Sequence, residues 1–139
     1  MADHNPTLHV QVVSPEQILY EGEGEMVVCR TADGEIAFLP GHTPLLGALG
    51  VAKLRVILPG EGEHTVAVHG GFVEVSNDRV IILSDVAELP EQIDVARAAR
   101  AKEQAQAALA ADGDDELAMG ALARAALRLE VGGADAAAA

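Results

Sequence analysis

The first two thirds of the chain alternate between apolar and polar residues in short runs. Residues 8–12 are LHVQV and residues 52–56 are AKLRV, so every second side chain is apolar. A period of two turns one face of a strand inward and the other toward water. Glycine, proline, asparagine and aspartate separate the runs at intervals typical of antiparallel β-structure. The pattern predicts about eight to ten short strands, which a β-sandwich can bury.

Five segments between these runs have the composition of turns. Each contains residues that adopt positive φ or whose side chains bond to the nearby backbone. The predicted turns are residues 14–16, 21–24, 32–34, 59–62 and 76–78. The GEGE sequences are interpreted as acidic hairpin turns and not as phosphate-binding loops, because their carboxylates would repel a phosphate.

The composition changes after residue 89. β-branched residues become scarce, alanine dominates, and residues 91–109 predict a helix with acids in its first turn. The sequence DGDD at residues 112–115 interrupts it, and residues 116–129 predict a second helix with Asp114 or Asp115 as N-cap. The apolar face of this pair is mostly alanine, so we expect a weakly held hairpin that opens at modest cost.

The predicted fold class is therefore α+β, an N-terminal antiparallel β-sandwich followed by a C-terminal antiparallel two-helix hairpin. We assign residues 1–89 to the sandwich and residues 90–131 to the hairpin. Residues 132–139 lack anchoring side chains, and we expect a disordered tail there. A chain of 139 residues is long enough for one modest core with such an appendage.

The chain is strongly acidic, with a formal net charge of −13. Acidic residues outnumber basic ones both before and after residue 90. The negative electrostatic potential of such a chain repels nucleic acid and anionic lipid, so we expect neither as a partner. No apolar run approaches the ~20 residues of a membrane helix, and the N-terminus lacks the pattern of a signal peptide. We expect a soluble protein without direct lipid insertion.

The sequence contains none of the usual catalytic motifs. It has neither GxxxxGK[ST] nor GxGxxG, and no nucleophile-elbow pattern surrounds its serines. Its histidines lack HExxH or Cys-His spacing, so no metal is predicted, and a histidine-based metal hydrolase is the weaker alternative. The residues concerned are Ser14, Ser76, Ser84, His42, His64 and His69. The single cysteine, Cys29, is interpreted as a small core residue that excludes an internal disulfide.

Four arginines recur at helical spacing in the predicted hairpin. Arg97 and Arg100 share a face of the first helix, and Arg124 and Arg128 share a face of the second. If the hairpin turns at residues 112–113, the residue numbers of two positions that face each other add up to about 225. Arg97 then comes near Arg128, and Arg100 comes near Arg124. Two interpretations stay open, a solvated face paired with neighbouring acids and a site for an anion.

Three motifs give the chain a family resemblance. They are GEIAFLPGHTPLL at residues 34–46, GGFVEVSNDRVIIL at residues 70–83 and IDVARA at residues 93–98. With them the chain resembles the epsilon subunit of bacterial F-type ATP synthases from about residue 8 to residue 131. The resemblance implies a non-catalytic central-stalk subunit of the rotor. Such a subunit couples the catalytic head to the membrane proton-conducting ring, and its helices inhibit ATP hydrolysis when they change conformation.

The resemblance also implies partners and a location. The expected partners are the gamma subunit, the membrane c-ring and, with the helices extended, the catalytic alpha and beta subunits, at the cytoplasmic face of the bacterial membrane. Glu35 and His42 match the positions that contact the ring. His42 lies in a loop braced by Pro40 and Pro44. Ala37 departs from the glycine that is frequent in the family.

In this family a motif of the form I/L-D-x-x-R-A binds ATP, and residues 93–98 match it. The resemblance thus implies ATP as a regulatory ligand, with no obligatory cofactor. The implied nucleotide-binding residues are Glu88, Ile93, Asp94, Arg97, Ala98, Arg124 and Arg128. ATP would favour the folded hairpin by binding it selectively. The second helix carries only two cations, so we expect weaker inhibition than in more basic relatives; the alternative is a stand-alone nucleotide-sensing adapter.

Overall fold

A computed structural model describes the backbone at residues 6–60 and 62–138. The chain divides into two compact units, Met1–Glu88 and Leu89–Ala139. The sequence analysis placed this boundary one residue later, after residue 89. The first unit contains the β-structure and the second contains the helices.

Eight strands make up the described part of the first unit. They are β1 (Leu8–Val13), β2 (Ile18–Gly24), β3 (Met26–Thr31), β4 (Gly34–Phe38), β5 (Leu45–Ile57), β6 (Glu63–Ser76), β7 (Arg79–Leu83) and β8 (Ala87–Glu88). Seven follow the order β2-β1-β7-β6-β5-β3-β4, and β8 pairs with β6. β1 and β7 are parallel, whereas the other described pairs are antiparallel. The predicted β-sandwich followed by two helices is therefore confirmed, and β1 with β7 is the one described pair that departs from the expected antiparallel pairing.

The two longest strands, β5 and β6, take part in both layers of the sandwich. Their ladder is interrupted opposite Gly50, where Gly70 and Gly71 both have positive φ. β7 pairs with β6 after this interruption, and β8 pairs with β6 before it. A long strand that is interrupted in this way lets one sheet fold over itself and enclose a core.

The core lies between the two layers and consists mainly of valine and leucine. In β1 the predicted alternation is confirmed, since Leu8, Val10 and Val12 are fully buried. Contact between the layers is close at Gly24, where an added Cβ would lie 2.8 Å from Cγ1 of Val56 and 3.4 Å from Cγ2 of Val10. The inward positions of the strands therefore form one continuous apolar core.

Four of the five predicted turns are present in the structure. Residues 14–17, 32–34 and 76–78 connect strands, and Gly60 and Gly62 adopt positive φ in the turn before β6, whose residue 61 lies outside the described residues. The prediction of a turn at residues 21–24 is wrong. These residues end strand β2, in which Glu21 pairs with Gln11 and Glu23 with His9. Pairing with β1 satisfies their backbone, and Glu25 alone connects β2 to β3.

The second unit contains a 3₁₀ turn (Pro90–Gln92), helix α1 (Val95–Ala111) and helix α2 (Glu116–Ala138). α1 begins later than predicted because Asp94 is its N-cap: the Oδ1 atom accepts a hydrogen bond from the Arg97 N–H at 3.0 Å. Glu91 thus lies in the 3₁₀ turn, outside the first turn of α1. Asp115 caps α2 in the same way and accepts from the Ala118 N–H, which confirms one of the two predicted caps.

Helix α2 extends beyond Val131, after which the sequence analysis expected a disordered tail. The backbone is helical to Ala138, and Ala139 lies outside the described residues. Gly132 is buried, and an added Cβ there would lie only 2.9 Å from Cγ2 of Ile93. A missing side chain thus allows close packing at Gly132, and the helix backbone continues through it, whereas the expected disorder of residues 132–139 stays a prediction.

Alanine provides both buried residues of α1, as predicted, whereas α2 buries Leu127 and Val131 beside its alanines. Ala98 and Ala105 are the buried residues of α1, seven positions apart, and Ala118 and Ala125 are buried with the same spacing in α2. Spacing by seven keeps one helix face toward its partner over successive turns. Small residues at these positions let the two helix backbones approach closely, although each contributes little buried apolar area.

Candidate functional site

The loop between β4 and β5 holds His42, one of the two expected ring-contacting residues. The His42 N–H donates to the carbonyl oxygen of Leu39 at 3.0 Å, and its Nδ1 lies 2.6 Å from the carbonyl oxygen of Thr43. Its ring packs edge-on against Phe38, with 4.9 Å between the ring centroids. Because Phe38 is fully buried, the imidazole is fixed on the core while it remains half-buried itself.

A second contact ties this loop to the turn between β6 and β7. The Gly41 N–H donates to Oδ1 of Asp78 at 2.7 Å, and both residues have positive φ. The hydrogen bond joins residues 37 positions apart in the chain. The shape of the loop thus depends on a non-local carboxylate as well as on the two prolines that the sequence analysis identified.

Glu35, the other expected ring-contacting residue, is exposed on β4. β4 ends the strand path of the described sheet, and Glu35 is paired there with Arg30 of β3. Glu35 and Leu46 also line the same surface cavity of about 230 Å³. The structure thus places Glu35 on an edge strand and His42 in the loop that follows this strand.

Four apolar side chains form a row across the outer face of the sheet. Register pairs Ile18 with Val13, Val13 with Leu83, and Leu83 with Phe72, so the row crosses β2, β1, β7 and β6 in turn. Ile18 is 59% exposed, Leu83 53% and Phe72 58%. We call these four residues the outer apolar row. Exposed apolar residues that lie side by side are typical of interaction surfaces.

Two carboxylates lie beside the ends of the outer apolar row. The next outward positions on the same strands are Glu74, Ile81, Gln11 and Glu21, of which Glu74 and Glu21 are exposed. At the other side a surface cavity of about 380 Å³ is lined by Val13, Leu83 and Phe72 together with Asp85. A partner that fits this face would present apolar side chains flanked by basic ones.

The sequence analysis did not find the outer apolar row. A signal was present, however. Val13 follows the alternating run LHVQV at a position where alternation calls for a polar residue, Leu83 ends VIIL, and Phe72 begins FVEV. Alternation identifies the inward residues of a strand, but the cross-strand register that joins the outward ones into a surface is non-local.

The helical unit holds six of the seven residues that the resemblance assigns to nucleotide binding. Ile93 and Ala98 are buried, and the Asp94 carboxylate caps α1. Arg97 and Arg124 are exposed, whereas Arg128 is half-buried. The seventh, Glu88, ends the first unit and contacts His69, with 2.9 Å between Glu88 Oε1 and His69 Nε2.

Packing between α1 and α2 shows which arginines of the two helices lie opposite each other. The close approach of Gly132 to Ile93 aligns the start of α1 with the second half of α2. Counting back from this contact along the antiparallel pair brings Arg97 level with Arg128, the register that the sequence analysis derived. An added Cβ on Gly120 would lie 3.2 Å from Nη1 of Arg124, so this guanidinium lies one turn back along α2.

Two groups of the sandwich have shifted proton affinities. Burial, followed by the negative charge of Glu35, raises the pKa of the Cys29 thiol to about 11. Burial and then Glu23 raise the pKa of Tyr20. Cys29 is 3% exposed, so the thiol is a neutral core group, as its position in a predicted buried strand indicated.

Within residues 6–60 and 62–138, no group of three or more His, Cys, Asp or Glu side chains is arranged to hold a metal ion. Over the same described ranges, neither helix has the length and apolar character needed to cross a membrane.

Comparison with known proteins identifies the family. A sequence model of the ATP synthase delta/epsilon chain β-sandwich domain matches residues 7–90. The ATP synthase epsilon chain of Desulforudis audaxviator is 48% identical over 105 residues, 76% of each chain. That of Shouchella clausii is 45% identical over 126 residues, 90% of this chain and 94% of the relative.

The chain belongs to the ATP synthase epsilon chain family. An epsilon chain is an accessory subunit of the stalk of ATP synthase and is not itself catalytic. This confirms the resemblance on which the sequence analysis relied.

Solved structures share the epsilon fold at low sequence identity. A chain of the Euglena gracilis mitochondrial ATP synthase OSCP/F1/c-ring assembly superposes with a TM-score of 0.69 at 23% identity and covers 99% of this chain and 84% of its own. A chain of the Tetrahymena thermophila mitochondrial ATP synthase central stalk/c-ring gives a TM-score of 0.54 at 14% identity, over 65% of this chain and 72% of its own.

Proposed function

We propose that this epsilon chain joins the gamma subunit to the membrane c-ring in the rotor of a bacterial F-type ATP synthase. The observation that carries the proposal is the outer apolar row, a set of exposed apolar side chains that lie side by side on four strands of an epsilon chain. The complex would be held at the cytoplasmic face of the cell membrane, and the chain would be attached there through its partners.

The gamma subunit is the proposed occupant of the outer apolar row. Burial of Ile18, Leu83 and Phe72 against an apolar helix would stabilise the contact by removing their exposed area from water. The cavity beside Phe72 offers space for one inserted side chain. Acidic neighbours such as Glu74 and Asp85 favour basic residues at the edge of that contact.

The membrane ring is the proposed partner of Glu35 and His42. Ring loops that meet this end of the unit would find an exposed carboxylate on an edge strand and an imidazole fixed on Phe38. Because the Gly41–Asp78 hydrogen bond holds the loop, little conformational entropy is lost when it docks. A preformed polar surface suits transmission of torque between the ring and gamma.

The helical unit is the proposed regulator. With α1 and α2 packed against each other it would permit rotation, and after extension it would contact the alpha and beta subunits and inhibit ATP hydrolysis. The alanines buried on α1 support this proposal, since small side chains lose little buried apolar area when two helices separate. ATP would bind the packed form through Ile93, Asp94, Ala98 and the arginines.

The regulatory role is tested first by calorimetric titration of Mg-ATP into the isolated chain. Arg97→Ala and Arg124→Ala are expected to weaken binding at least tenfold, because each removes a cation that would pair with the triphosphate. Arg100→Ala is the matched control, since Arg100 is exposed on the same helix face but is not among the implied residues. No saturable binding, or equal loss in all three variants, would contradict the nucleotide site.

The inhibitory part of the same role is tested in the assembled complex. Removal of residues 89–139 is expected to raise its rate of ATP hydrolysis, because the inhibiting helices are then missing. Complex that contains the intact chain, prepared in parallel, is the reference. An unchanged or lower rate would contradict inhibition by the helical unit, and ATP binding without inhibition would favour the nucleotide-sensing alternative.

A further inference from the structure

A surface cavity of about 380 Å³ lies against the outer apolar row. Three members of the row, Val13, Leu83 and Phe72, line it. The volume falls within the ~300–1,000 Å³ range of sites that bind small ligands, so one long side chain fits inside. Because the cavity is continuous with the row, a partner that covers the row also reaches the cavity.

Two adjacent glycines leave part of the cavity wall without side chains. Gly70 and Gly71 both line the cavity and both have positive φ. An added Cβ at Gly71 would collide with the carbonyl oxygen of Leu83, so β6 and β7 approach each other here because the side chain is missing. The depression is thus built into the backbone of the sheet.

The hydroxyl of Ser84 fixes the same stretch of backbone. This buried side chain lines the cavity, and its oxygen lies 2.6 Å from the carbonyl oxygen of Gly70 and 2.9 Å from that of Val86. Its one hydrogen is donated to these carbonyls, so the hydroxyl can offer a ligand only an acceptor. A cavity that is held in this way loses little conformational entropy when it is filled.

The charge of the cavity favours a cation. Among the described residues that line it, Asp85 is the one carboxylate and none is a lysine or an arginine. Asp85 is exposed. The lining also includes His69, but its side chain is only 3% exposed and lies 2.9 Å from Glu88. A cation in the cavity would therefore be attracted by Asp85, whereas an anion would be repelled.

The walls of the cavity distinguish between the two common cationic side chains. The methylene stem of an arginine would pack on Val13 and Leu83, as long cationic side chains do on apolar surfaces. Its planar guanidinium offers a face to the exposed Phe72 ring and two parallel N–H groups to the Asp85 carboxylate. A lysine ammonium lacks this fork and holds its water more strongly, so it would gain less.

We propose that this cavity is a socket for one arginine side chain of the gamma subunit. The inference rests on the proposed docking of gamma on the outer apolar row, and it adds the contact that fixes the position of gamma there. Apolar contact alone is tolerant of sliding, whereas one cation enclosed beside Asp85 sets a single register and orientation. Arginines that fill such enclosed pockets are frequent among the residues that dominate the binding energy of an interface.

Competition for gamma between two differently tagged chains tests the socket. Asp85→Asn keeps the size of the side chain and should weaken binding about tenfold, because the arginine loses its ion pair but keeps its apolar contacts. The same change should reduce the loss of affinity between about 50 mM and about 500 mM salt, since salt screens a charge pair. Asp33→Asn, in the exposed turn between β3 and β4, is the matched control and should compete as the unaltered chain does.

Alanine substitution of each arginine of gamma in turn identifies the occupant. One of these changes should weaken binding, and its combination with Asp85→Asn should cost no more than either change alone, because both remove the same pair. Gamma that is lost with Ile18→Asp, in the row but outside the socket, and bound equally by Asp85→Asn and Asp33→Asn would overturn the socket alone. Gamma that never associates with the unaltered chain would overturn the docking proposal and the socket together.

A titration of the intact chain without gamma tests the chemistry of the cavity directly. Butylguanidinium, followed by nuclear magnetic resonance, should shift the amide signals of Gly70, Gly71 and Asp85 in a saturable way. Butylammonium and butanol at the same ionic strength should bind more weakly, and Asp85→Asn should remove the preference for the guanidinium. No saturable shift, equal binding of the three probes, or a preference that survives Asp85→Asn would each overturn the arginine socket.

Discussion

The thiol of Cys29 shows how the fold sets the chemistry of a single residue. The side chain is buried in β3, and the pKa of about 11 leaves roughly one thiol in a thousand ionised at pH 8. We predict that iodoacetamide labels native Cys29 about 100-fold more slowly than a free cysteine. Mass spectrometry of the native and the urea-unfolded chain measures both rates, and comparable rates in the two states would contradict the buried, neutral thiol.

The raised pKa of the Cys29 thiol also predicts how the stability of the fold changes at alkaline pH. An unperturbed cysteine has a pKa of 9.0, whereas the pKa of the folded Cys29 is about 11. Well below pH 9 the thiol is neutral in both the folded and the unfolded state, and it does not affect stability. Between these values the unfolded thiol ionises while the folded one does not, so stability falls as the pH rises. Cys29→Ala lacks this contribution and is the control in alkaline denaturation.

Residue roles differ in how far the sequence alone reveals them. Cys29 lies in an apolar run, and that local signal was sufficient to predict a core residue. The contact between His69 and Glu88 joins residues 19 positions apart, and neither residue has a neighbour in sequence that indicates the other. Pairing of this kind depends on strand register, which local patterns do not determine.

At the level of elements, two adjacent glycines in α2 provide a matched test of the hairpin. Gly133 has no atom within 4 Å of an added Cβ, whereas at Gly132 the added atom would lie 2.9 Å from Cγ2 of Ile93 and 3.2 Å from Cγ2 of Val95. Gly133→Ala should stabilise the helix by about 0.5–1 kcal/mol through lower unfolded-chain entropy. Gly132→Ala gives the same gain in helix propensity, but its methyl group would push α2 away from Ile93 and Val95.

Thermal unfolding followed by far-ultraviolet circular dichroism measures this difference. We expect a lower melting temperature for Gly132→Ala than for Gly133→Ala, with the unaltered chain as reference. Equal stabilisation by both substitutions would show that α2 does not pack closely on Ile93 at this point.

Helix and strand types followed from periodicity and composition, but their ends did not. α1 begins at Val95 because the Asp94 side chain bonds the Arg97 N–H, and Glu91 is left in a separate 3₁₀ turn. β2 continues through Gly24 because β1 pairs with it. Helix caps and hydrogen bonds between strands decide where helices and strands end. Both depend on particular contacts, which the average propensity of a segment does not reveal.

For the whole molecule, the family was predictable from three sequence motifs, whereas the proposed docking surface was not. Residues 34–46 and 70–83 identify an epsilon chain because these motifs are long and occur in the right order. The outer apolar row required the parallel pairing of β1 with β7, which brings Val13 beside Leu83. A partner surface is a property of the assembled sheet.

Assembly with gamma is the central claim of this account, and one measurement tests it directly. Co-expressed gamma should co-purify with the unaltered chain, and Leu83→Asp should reduce the recovered gamma at least tenfold by placing a charge in the outer apolar row. Leu117→Asp is the matched control, because Leu117 is 87% exposed on α2 and lies outside the row. Recovery of gamma with Leu83→Asp equal to that with Leu117→Asp would contradict docking through this surface.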